Sequence, residues 1–493
     1  MSRMDSTIVL PPRRALWRRL GTLPMFSHYN RLVLLVFAVN IAALVYGLNI
    51  GQWWSTSGVA LQTLSGLVVA NVSMAILIRQ QYVINGLFWL ATRAPTSWPL
   101  AIRRSLAKVY HFGGLHSGGA MAAIVWFALL FGSMIWLKFE GPGGVSLTLI
   151  GLSGGLLVLL LLVAIMALPI IRARFHNAFE RTHRFAGWAA LAMFWAMTLV
   201  FVREQHPTAA LTDVLLRSAS FWMLLLVTFS ITLPWLRLRQ VPVSVVPLSS
   251  HAVIARFDHH TPFAGSATAI SRNPLWEWHS FANIPAPGVD GFRLIISRAG
   301  DWTGDFIEQA PTHVWVKGIT TAGVAHIETL FKAVVYIATG SGIGPVLPHL
   351  LAQQIPIRLI WSTRSPRATY GDALVDEILA AQPDALIWDT DVSGKPDLVK
   401  LAYCAVQSFG AEAVICISNQ TLTERVVEEM EARGIPAYGA IWVPDTRVDS
   451  FLTVTKSKEG NEHERIDRKT RTRCADPAQS PTSPQRPESP NDE

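Results

Sequence analysis

Six stretches of this chain, roughly 32–50, 58–78, 112–137, 145–171, 185–202 and 218–236, are apolar and contain no Asp, Glu, Lys or Arg. Each is long enough to cross about 30 Å of hydrocarbon, so together they predict a bundle of six membrane-spanning helices. All six lie in the N-terminal half. The overall composition, 51% hydrophobic and only 15% charged, is what such a half would impose on the whole. No cleavable leader is expected, because the first thirty residues lack an apolar core and carry Arg13, Arg14, Arg18 and Arg19.

Loop charges orient the bundle, since Lys and Arg are retained on the cytoplasmic side. Residues 1–31 hold six Arg, 79–111 hold Arg79, Arg93, Arg103, Arg104 and Lys108, 172–184 hold four Arg, and Arg237 and Arg239 follow the last span. The alternate loops hold only Lys138, Arg203 and Arg217. Both termini and the C-terminal half are therefore expected in the cytoplasm, making the chain a multi-pass integral membrane protein with the lipid bilayer as a partner. Topology and lipid headgroups account for the net charge of +8, which excludes nucleic-acid binding as its explanation.

Cys404, Cys416 and Cys474 have no CxxC spacing, so neither a disulfide framework nor a zinc site is expected. From about 455 to 493 the chain turns polar and rich in Pro, Ser and charge, with too little apolar surface to offset its ordering entropy. That tail is expected to be disordered.

Past Arg239 short apolar runs broken by Pro, Gly and Asp (VPVSVVPL, HAVIARF, GFRLIISRAG, HVWVKGI) predict an antiparallel β-barrel or sandwich over about 240–330. From 331 to 447 strands and helices alternate, which predicts a parallel, doubly wound α/β sheet. Its first strand-to-helix turn reads VYIATGSGIGPVLPHL. Glycines after a buried strand let the backbone approach a pyrophosphate at a helix N-terminus, so Thr339, Gly340, Gly342, Gly344 and Pro345 are candidate dinucleotide contacts. The plain alternative is a glycine turn that only packs tightly.

The order of parts, with an aromatic barrel motif and then G-S-G-I-G-P, resembles the ferric reductase and NADPH oxidase superfamily. Its cytoplasmic module is of ferredoxin–NADP reductase type, and among fungal and bacterial members the chain is most similar to transmembrane flavoproteins associated with developmental signalling. The resemblance spans about 30–445. Following the basic N-terminus (1–31), it implies a six-span domain (32–239), an FAD-binding β-barrel (240–330) and an NAD(P)-binding domain (331–447).

It also implies site residues. In WEWHSFANIP, His279 and Phe281 match the family's flavin motif His-Pro-Phe-Thr, while Ser280 and Ala282 depart from it. Gly-Asp-Trp-Thr is intact as Gly300, Asp301, Trp302 and Thr303, preceded by Arg298. The resemblance gives Arg298 the flavin pyrophosphate, Thr303 a phosphate oxygen and Trp302 the edge of the site. KGITTAG stands where the family has a Gly-Pro-Tyr-Gly turn. In RLIWSTRSPRATYGD, Ser362, Arg364 and Arg367 are candidates for a 2′-phosphate, favouring NADPH over NADH; the alternative makes both arginines ordinary surface charges. Cys416 matches the nicotinamide-side Cys of Cys-Gly-Pro, with Ile417 and Ser418 replacing the rest, and is the candidate catalytic residue. Nothing basic adjoins it in sequence, so a neutral thiol is expected.

Imidazole is a good axial ligand for haem iron. His111, His116, His176 and His183 all fall near the cytoplasmic ends of spans three and five. His116 and His183 are the candidate ligands of one b-type haem, with Gly113, Gly114, Gly118, Gly119, Ala186 and Gly187 leaving room for the macrocycle. The bland alternative has them hydrogen-bonding to headgroups or helix ends. The family's second histidines, thirteen or fourteen residues on, are Leu129, Leu130, Ala196 and Met197 here, so no outer haem is expected. The reading is an NAD(P)H-dependent FAD oxidoreductase of the membrane, passing electrons to an unknown acceptor such as ferric iron, oxygen or a quinone. The alternative is a catalytically weak redox sensor or signalling protein.

Overall fold

The computed structural model describes residues 9–15, 26–55, 58–141 and 144–439. The polar tail, Cys474 and residues 440–447 of the expected dinucleotide domain lie outside the described residues. The helical half is built from His28–Asn49 (α1), Leu61–Leu77 (α2), Gln81–Thr92 (α3), Leu100–Leu106 (α4), Gly113–Phe139 (α5), Leu147–Met166 (α6), His176–Gln205 (α7) and Ala219–Leu236 (α8).

By length and apolarity α1, α6, α7, α8 and the segment Leu100–Phe139 are each sufficient to cross a membrane. The second expected span departs from this. α2 has only 17 residues, and reaches spanning length only together with α3, from which it is bent by 70°. The bend falls where Arg79 and Gln80 interrupt the apolar run, and the Gln80 side chain caps α3 by accepting from the backbone N–H groups of Tyr82 and Val83.

Small residues set how closely the bundle packs. A β-carbon on Gly114 would lie 2.3 Å from the Tyr29 carbonyl oxygen of α1, and one on Gly119 would lie 2.9 Å from the Asn71 carbonyl oxygen of α2. Asn40 and Asn71 exchange amide hydrogen bonds of 3.1 and 2.8 Å between α1 and α2, and Trp126 Nε1 of α5 donates to Asn40 Oδ1 at 2.7 Å. These polar groups satisfy one another where surrounding side chains are apolar.

The expected loop 79–111 is largely helical, and although His111 meets His28 of α1 at 5.7 Å, much of the segment packs on the C-terminal half. α3 is amphipathic, with Ile84, Phe88 and Ala91 buried on one face. Ile84 and Phe88 join a core shared with Ala252, Ile254, Ile295, Tyr336 and Tyr438 of the C-terminal half. Arg103 of α4 is 3% exposed and donates to the Leu330 carbonyl at 2.7 Å and to Glu412. The Asn85 amide donates to the Thr320 carbonyl, and its oxygen accepts from the Ala322 N–H, both at 2.9 Å.

The β-domain has strands Arg239–Pro242 (β1), Ser244–Pro247 (β2), Ala252–Phe257 (β3), Ser266–Ser271 (β4), His279–Ala282 (β5), Phe292–Ser297 (β6), His313–Val316 (β7) and Thr321–Ala322 (β8), with helix Asp301–Gln309 (α9) between β6 and β7. One antiparallel sheet has the order β8-β4-β7-β1 with β5 paired to β4, and a second has the order β2-β3-β6. Their facing side chains, among them Val241, Phe257, Ile270, Phe292, Leu294 and Val314, form one core.

The α/β domain has strands Val334–Thr339 (β9), Ile357–Thr363 (β10), Leu386–Asp389 (β11), Ala413–Ile417 (β12) and Ala437–Gly439 (β13), and helices Ile343–Ala352 (α10), Asp372–Ala381 (α11), Leu398–Phe409 (α12) and Gln420–Ala432 (α13). The sheet is all parallel, ordered β11-β10-β9-β12-β13. Period-two alternation divides β9: Tyr336 and Ala338 pack on α10 and α11, whereas Val335 and Ile337 pack on α12 and α13. The described N-terminal stretch lies along α13, where Arg14 N–H donates to the Ala432 carbonyl at 2.9 Å and Arg13 pairs with Glu429.

Candidate functional site

The carboxyl ends of β9, β10 and β12 converge on the glycine turn. Thr339 is register partner to Ser362, and Thr339 Oγ1 lies 2.6 Å from Ser418 Oγ, just past β12. Gly340 has φ +49°, and its carbonyl accepts from Trp361 Nε1 at 3.0 Å. Gly342 is required by contact: a β-carbon there would lie 2.2 Å from the Ile417 carbonyl oxygen. Gly344 is not, since the nearest atom to its β-carbon would be Ile295 Cβ at an ordinary 3.7 Å. Pro345, in the first turn of α10, loses no intrahelical hydrogen bond for lack of an N–H. The N-terminus of α10 thus opens at the carboxyl edge of a parallel sheet, an arrangement that suits an anionic group.

The segment after β10 separates the two candidate arginines. Arg367 is already committed, with Nη1 2.9 Å from Asp372 and Nη2 2.7 Å from Asp376. Arg364 is exposed, and its side chain forms no ion pair among the described residues. Ser362 is 5% exposed. Ser365 holds the turn in place, its N–H donating to Asp389 at 3.0 Å and its hydroxyl to Asp391 at 2.9 Å. Beside it a cavity of about 410 Å³ opens between Pro366, Val375, Leu386 and Asp389.

Cys416 requires a correction. It sits on the face of β12 covered by α12 and α13, with 0% exposure, and is turned away from the glycine turn. Burial pushes its thiol up to about 12, against a hydrogen bond with Thr423 that acts the other way. The residues after the strand, Ile417 and Ser418, meet the turn instead. A strand's alternation alone would have shown that Cys416 shares a face with Val414.

In the β-domain the aromatic motif forms a stack. The His279 ring lies 4.0 Å from that of Trp302 at 24°, and Trp302 continues to Phe281 and Phe306. Trp302 is 9% exposed and belongs to the β-domain core; its Nε1 donates to Glu277 at 2.6 Å. It therefore supports His279 and does not screen the edge of a site. His279 Nε2 is buried with no hydrogen-bond partner and stands 3.9 Å from Glu277. Burial lowers the imidazole's pKa, outweighing Glu277 and Glu180.

Thr303 and Arg298 also have local work. Thr303 Oγ1 accepts from the Ala299 and Gly300 N–H groups at 2.8 and 3.1 Å, capping α9. Arg298 pairs with Glu308 at 2.9 Å on the surface and lies against Gly304. Neither side chain is free for a phosphate in this arrangement, and the Gly300 N–H at the N-terminus of α9 is taken up by Thr303 as well.

Sequence reasoning missed Lys317, whose motif departs from the family's pattern. Its ammonium lies 4.4 Å from the Trp278 ring, and burial, then Arg184, brings its pKa down to about 8. A buried Tyr336–Glu328–His349 chain was missed too, with Tyr336 donating to Glu328 at 3.0 Å and His349 Nδ1 2.6 Å from the same carboxylate.

In the helical half the His116 and His183 rings are 6.3 Å apart at 70°. Two imidazoles bound at about 2 Å to one iron put their ring centres about 6 Å apart, a separation this pair matches. His116 Nδ1 lies 2.7 Å from the Ala75 carbonyl, leaving Nε2 for iron, and His183 Nδ1 is buried without a partner. The expectation about small neighbours holds only in part: nothing lies within 4 Å of a β-carbon on Gly187, and one on Gly113 would meet the Tyr29 ring at 3.3 Å. Gly114, Gly118 and Gly119 are taken up by contacts with α1 and α2 and open no space. Eleven residues beyond each histidine, Phe127 and Phe194 are buried edge to face at 6.0 Å, with Leu130 and Met197 in the same core. Among the described residues no group of three or more His, Cys, Asp or Glu is arranged to hold a metal ion.

Residues 324–443 match the family described as the C-terminal domain of adenylate-forming reductase 03009. Two proteins of Coprinopsis cinerea, Adenylate-forming reductase 03009 and Adenylate-forming reductase 06235, are each 44% identical to this chain, over 419 and 420 residues. Each alignment covers 85% of this chain and 40% of the relative, so the chain spans two fifths of the length of the curated relatives it matches. Among solved structures, a Neisseria gonorrhoeae ferredoxin NADP+ reductase with bound FAD and NADP is 14% identical, covering 41% of this chain and 98% of that one, at a TM-score of 0.35. The FAD/NAD-binding domain of a Vibrio cholerae nitric oxide dioxygenase is 12% identical, covering 42% and 99%, at a TM-score of 0.31.

Proposed function

We propose that the chain is a membrane-embedded flavin reductase that takes electrons from a nicotinamide dinucleotide at the glycine turn. The observation that carries this reading is the convergence of three parallel strand ends on Gly340–Gly342, with Gly342 too close to the Ile417 carbonyl to admit any side chain. Matching relatives named as reductases support the reaction class. The free Arg364 guanidinium favours a 2′-phosphate, hence NADPH.

FAD would be held beside β5, which packs against α10 of the dinucleotide sheet. His279 offers an unsatisfied ring nitrogen on a platform held rigid by Trp302. Bound FAD would accept an electron pair as hydride and release electrons singly. Thr339 and Ser418 orient the turn, while the α12 and α13 layer excludes water from the sheet behind it.

Apolar helices of spanning length support a bilayer location, with the C-terminal domains on the side where basic loops gather. His116 and His183 would hold at most one b-type haem. Phe127, Phe194, Leu130 and Met197 leave the far half of the bundle without ligands, so the acceptor is on the cytoplasmic side or in the lipid phase. The test is the absorbance spectrum of detergent-purified protein before and after NADPH. Flavin bands that bleach on addition are expected. A protein with no flavin absorbance, releasing no FAD on heating, would overturn the reading.

A further inference from the structure

The β4–β5 loop, residues 272–278, carries the least expected exposed surface of the β-domain. Leu275 and Trp276 are each 48% exposed, although Ile270 of the preceding strand is fully buried and Phe281 of the following one is partly buried. Their surroundings belong to the helical half. Trp276 meets Phe185 of α7 edge to face at 5.7 Å, Phe185 meets Trp188 at 5.5 Å, and Trp188 meets Trp235 of α8 at 5.1 Å. Phe185 is itself 38% exposed, and Leu236, beside Trp235, is 74% exposed.

Cations flank this aromatic line. Arg181 lies 5.4 Å from the centre of the Trp276 ring, and Arg184 donates to the Leu275 carbonyl at 2.6 Å, tying the loop to α7. The acidic neighbours are otherwise engaged: Glu277 accepts from Trp302, and Glu180 stands 3.4 Å from His176. Exposed Trp and Leu beside Arg, continuous with the outward faces of apolar helices, are the chemistry of a lipid headgroup boundary.

We propose that Leu275 and Trp276 insert into the lipid interface, making the β-domain a second, non-spanning membrane contact held in register with α7 by Arg184. The partner is a phospholipid surface. The inference rests on the reading that α6, α7 and α8 cross a bilayer, and it adds that a domain built of soluble-type strands touches that bilayer directly.

The test is nitroxide accessibility in the full chain reconstituted into phospholipid vesicles. Cys404→Ser and Cys474→Ser leave the buried Cys416 as the one native thiol. Single labels follow at Leu275→Cys, at Val158→Cys on the outward face of α6, and at Val392→Cys on the α/β domain, positions that are 65% and 81% exposed in the last two cases. The label at 275 is expected to collide with oxygen as the one at 158 does, and several-fold less with a water-soluble nickel chelate than the one at 392. Chelate access at 275 equal to that at 392, with 158 protected, overturns this inference and leaves the bilayer reading standing. Protection at 275 from oxygen and chelate alike means that protein covers the loop, which also overturns it. Chelate access at 158 overturns the bilayer reading, and this inference with it.

Discussion

Arg103 and Glu412, separated by 309 positions in the chain, meet as a two-pronged ion pair with contacts of 2.6 and 3.1 Å, joining α4 to the segment before β12. The guanidinium is 3% exposed and the carboxylate 20%. Glu412 is held below the usual carboxylate range, first by the Arg103 hydrogen bond, and it also accepts from the Lys332 N–H at 2.9 Å.

Removing one partner strands a buried charge. Arg103→Met should lower stability by about 3 kcal/mol, while Arg103→Met with Glu412→Met should cost clearly less than the sum of the single changes. Denaturation of the purified single and double variants checks this; strict additivity would refute the coupling.

At the glycine turn, Gly342→Ala drives a methyl group onto the Ile417 carbonyl and should abolish dinucleotide binding. Gly344→Ala meets only ordinary contacts and should bind within about threefold of the parent, under about 0.7 kcal/mol. Titration with NADPH separates the two, and equal losses would show that the turn is not shaped by close approach.

Arg364 and Arg367 should differ in the same assay. Pairing of a guanidinium with a phosphate contributes about 1.5–3 kcal/mol. Arg364→Ala should therefore reduce the preference for NADPH over NADH by about one to two decades. Arg367→Ala should change it little, because Asp372 and Asp376 already take that charge.

Cys416 should be inert. With a thiol raised to about 12 and no exposure, it should resist alkylation at pH 8 in the folded protein while the half-buried Cys404 reacts. Cys416→Ala should retain NADPH-dependent flavin reduction. Loss of that reaction without loss of folding would restore a chemical role to the sulfur.

Lys317 predicts the sign of a pH effect. Its folded pKa of about 8 lies below the ordinary 10.5, so between those values the unfolded chain binds more protons and stability rises with pH. Below about 8 both states are protonated and the cost of the buried charge is present in full. Thermal midpoints of the parent should climb between pH 8 and pH 10, relative to those of Lys317→Met. Parallel curves would show the ammonium to be well solvated.

The periods that were strong in sequence found their counterparts in the elements. Uncharged runs became α1, α5, α6, α7 and α8, and the strand-helix alternation after residue 331 became the parallel sheet. Less was legible wherever a residue's role depends on a partner far along the chain. Ion-pair partners took up Arg298 and Arg367, a helix cap took up Thr303, and strand alternation turned Cys416 inward. The loop 79–111 misled for a related reason. Its arginines read as cytoplasmic loop charges with no partner legible in sequence, yet Arg103 is buried against Glu412, and the helical face of Ile84 and Phe88 is too short to stand out.

The core that runs from Phe88 through Ile295 to Tyr336 has a consequence for how the molecule can be divided. A cut after Leu236 would look natural, since it separates long apolar helices from strand-rich sequence. It would also leave Ile254, Ile327 and Tyr438 without the side chains of α3 and α4 that cover them, and would leave Glu412 without its arginine. The change from apolar helices to strands is therefore not the boundary between folding units. The smallest autonomous piece that contains the dinucleotide sheet must bring the segment 79–112 with it, and the two halves should melt together as one cooperative body.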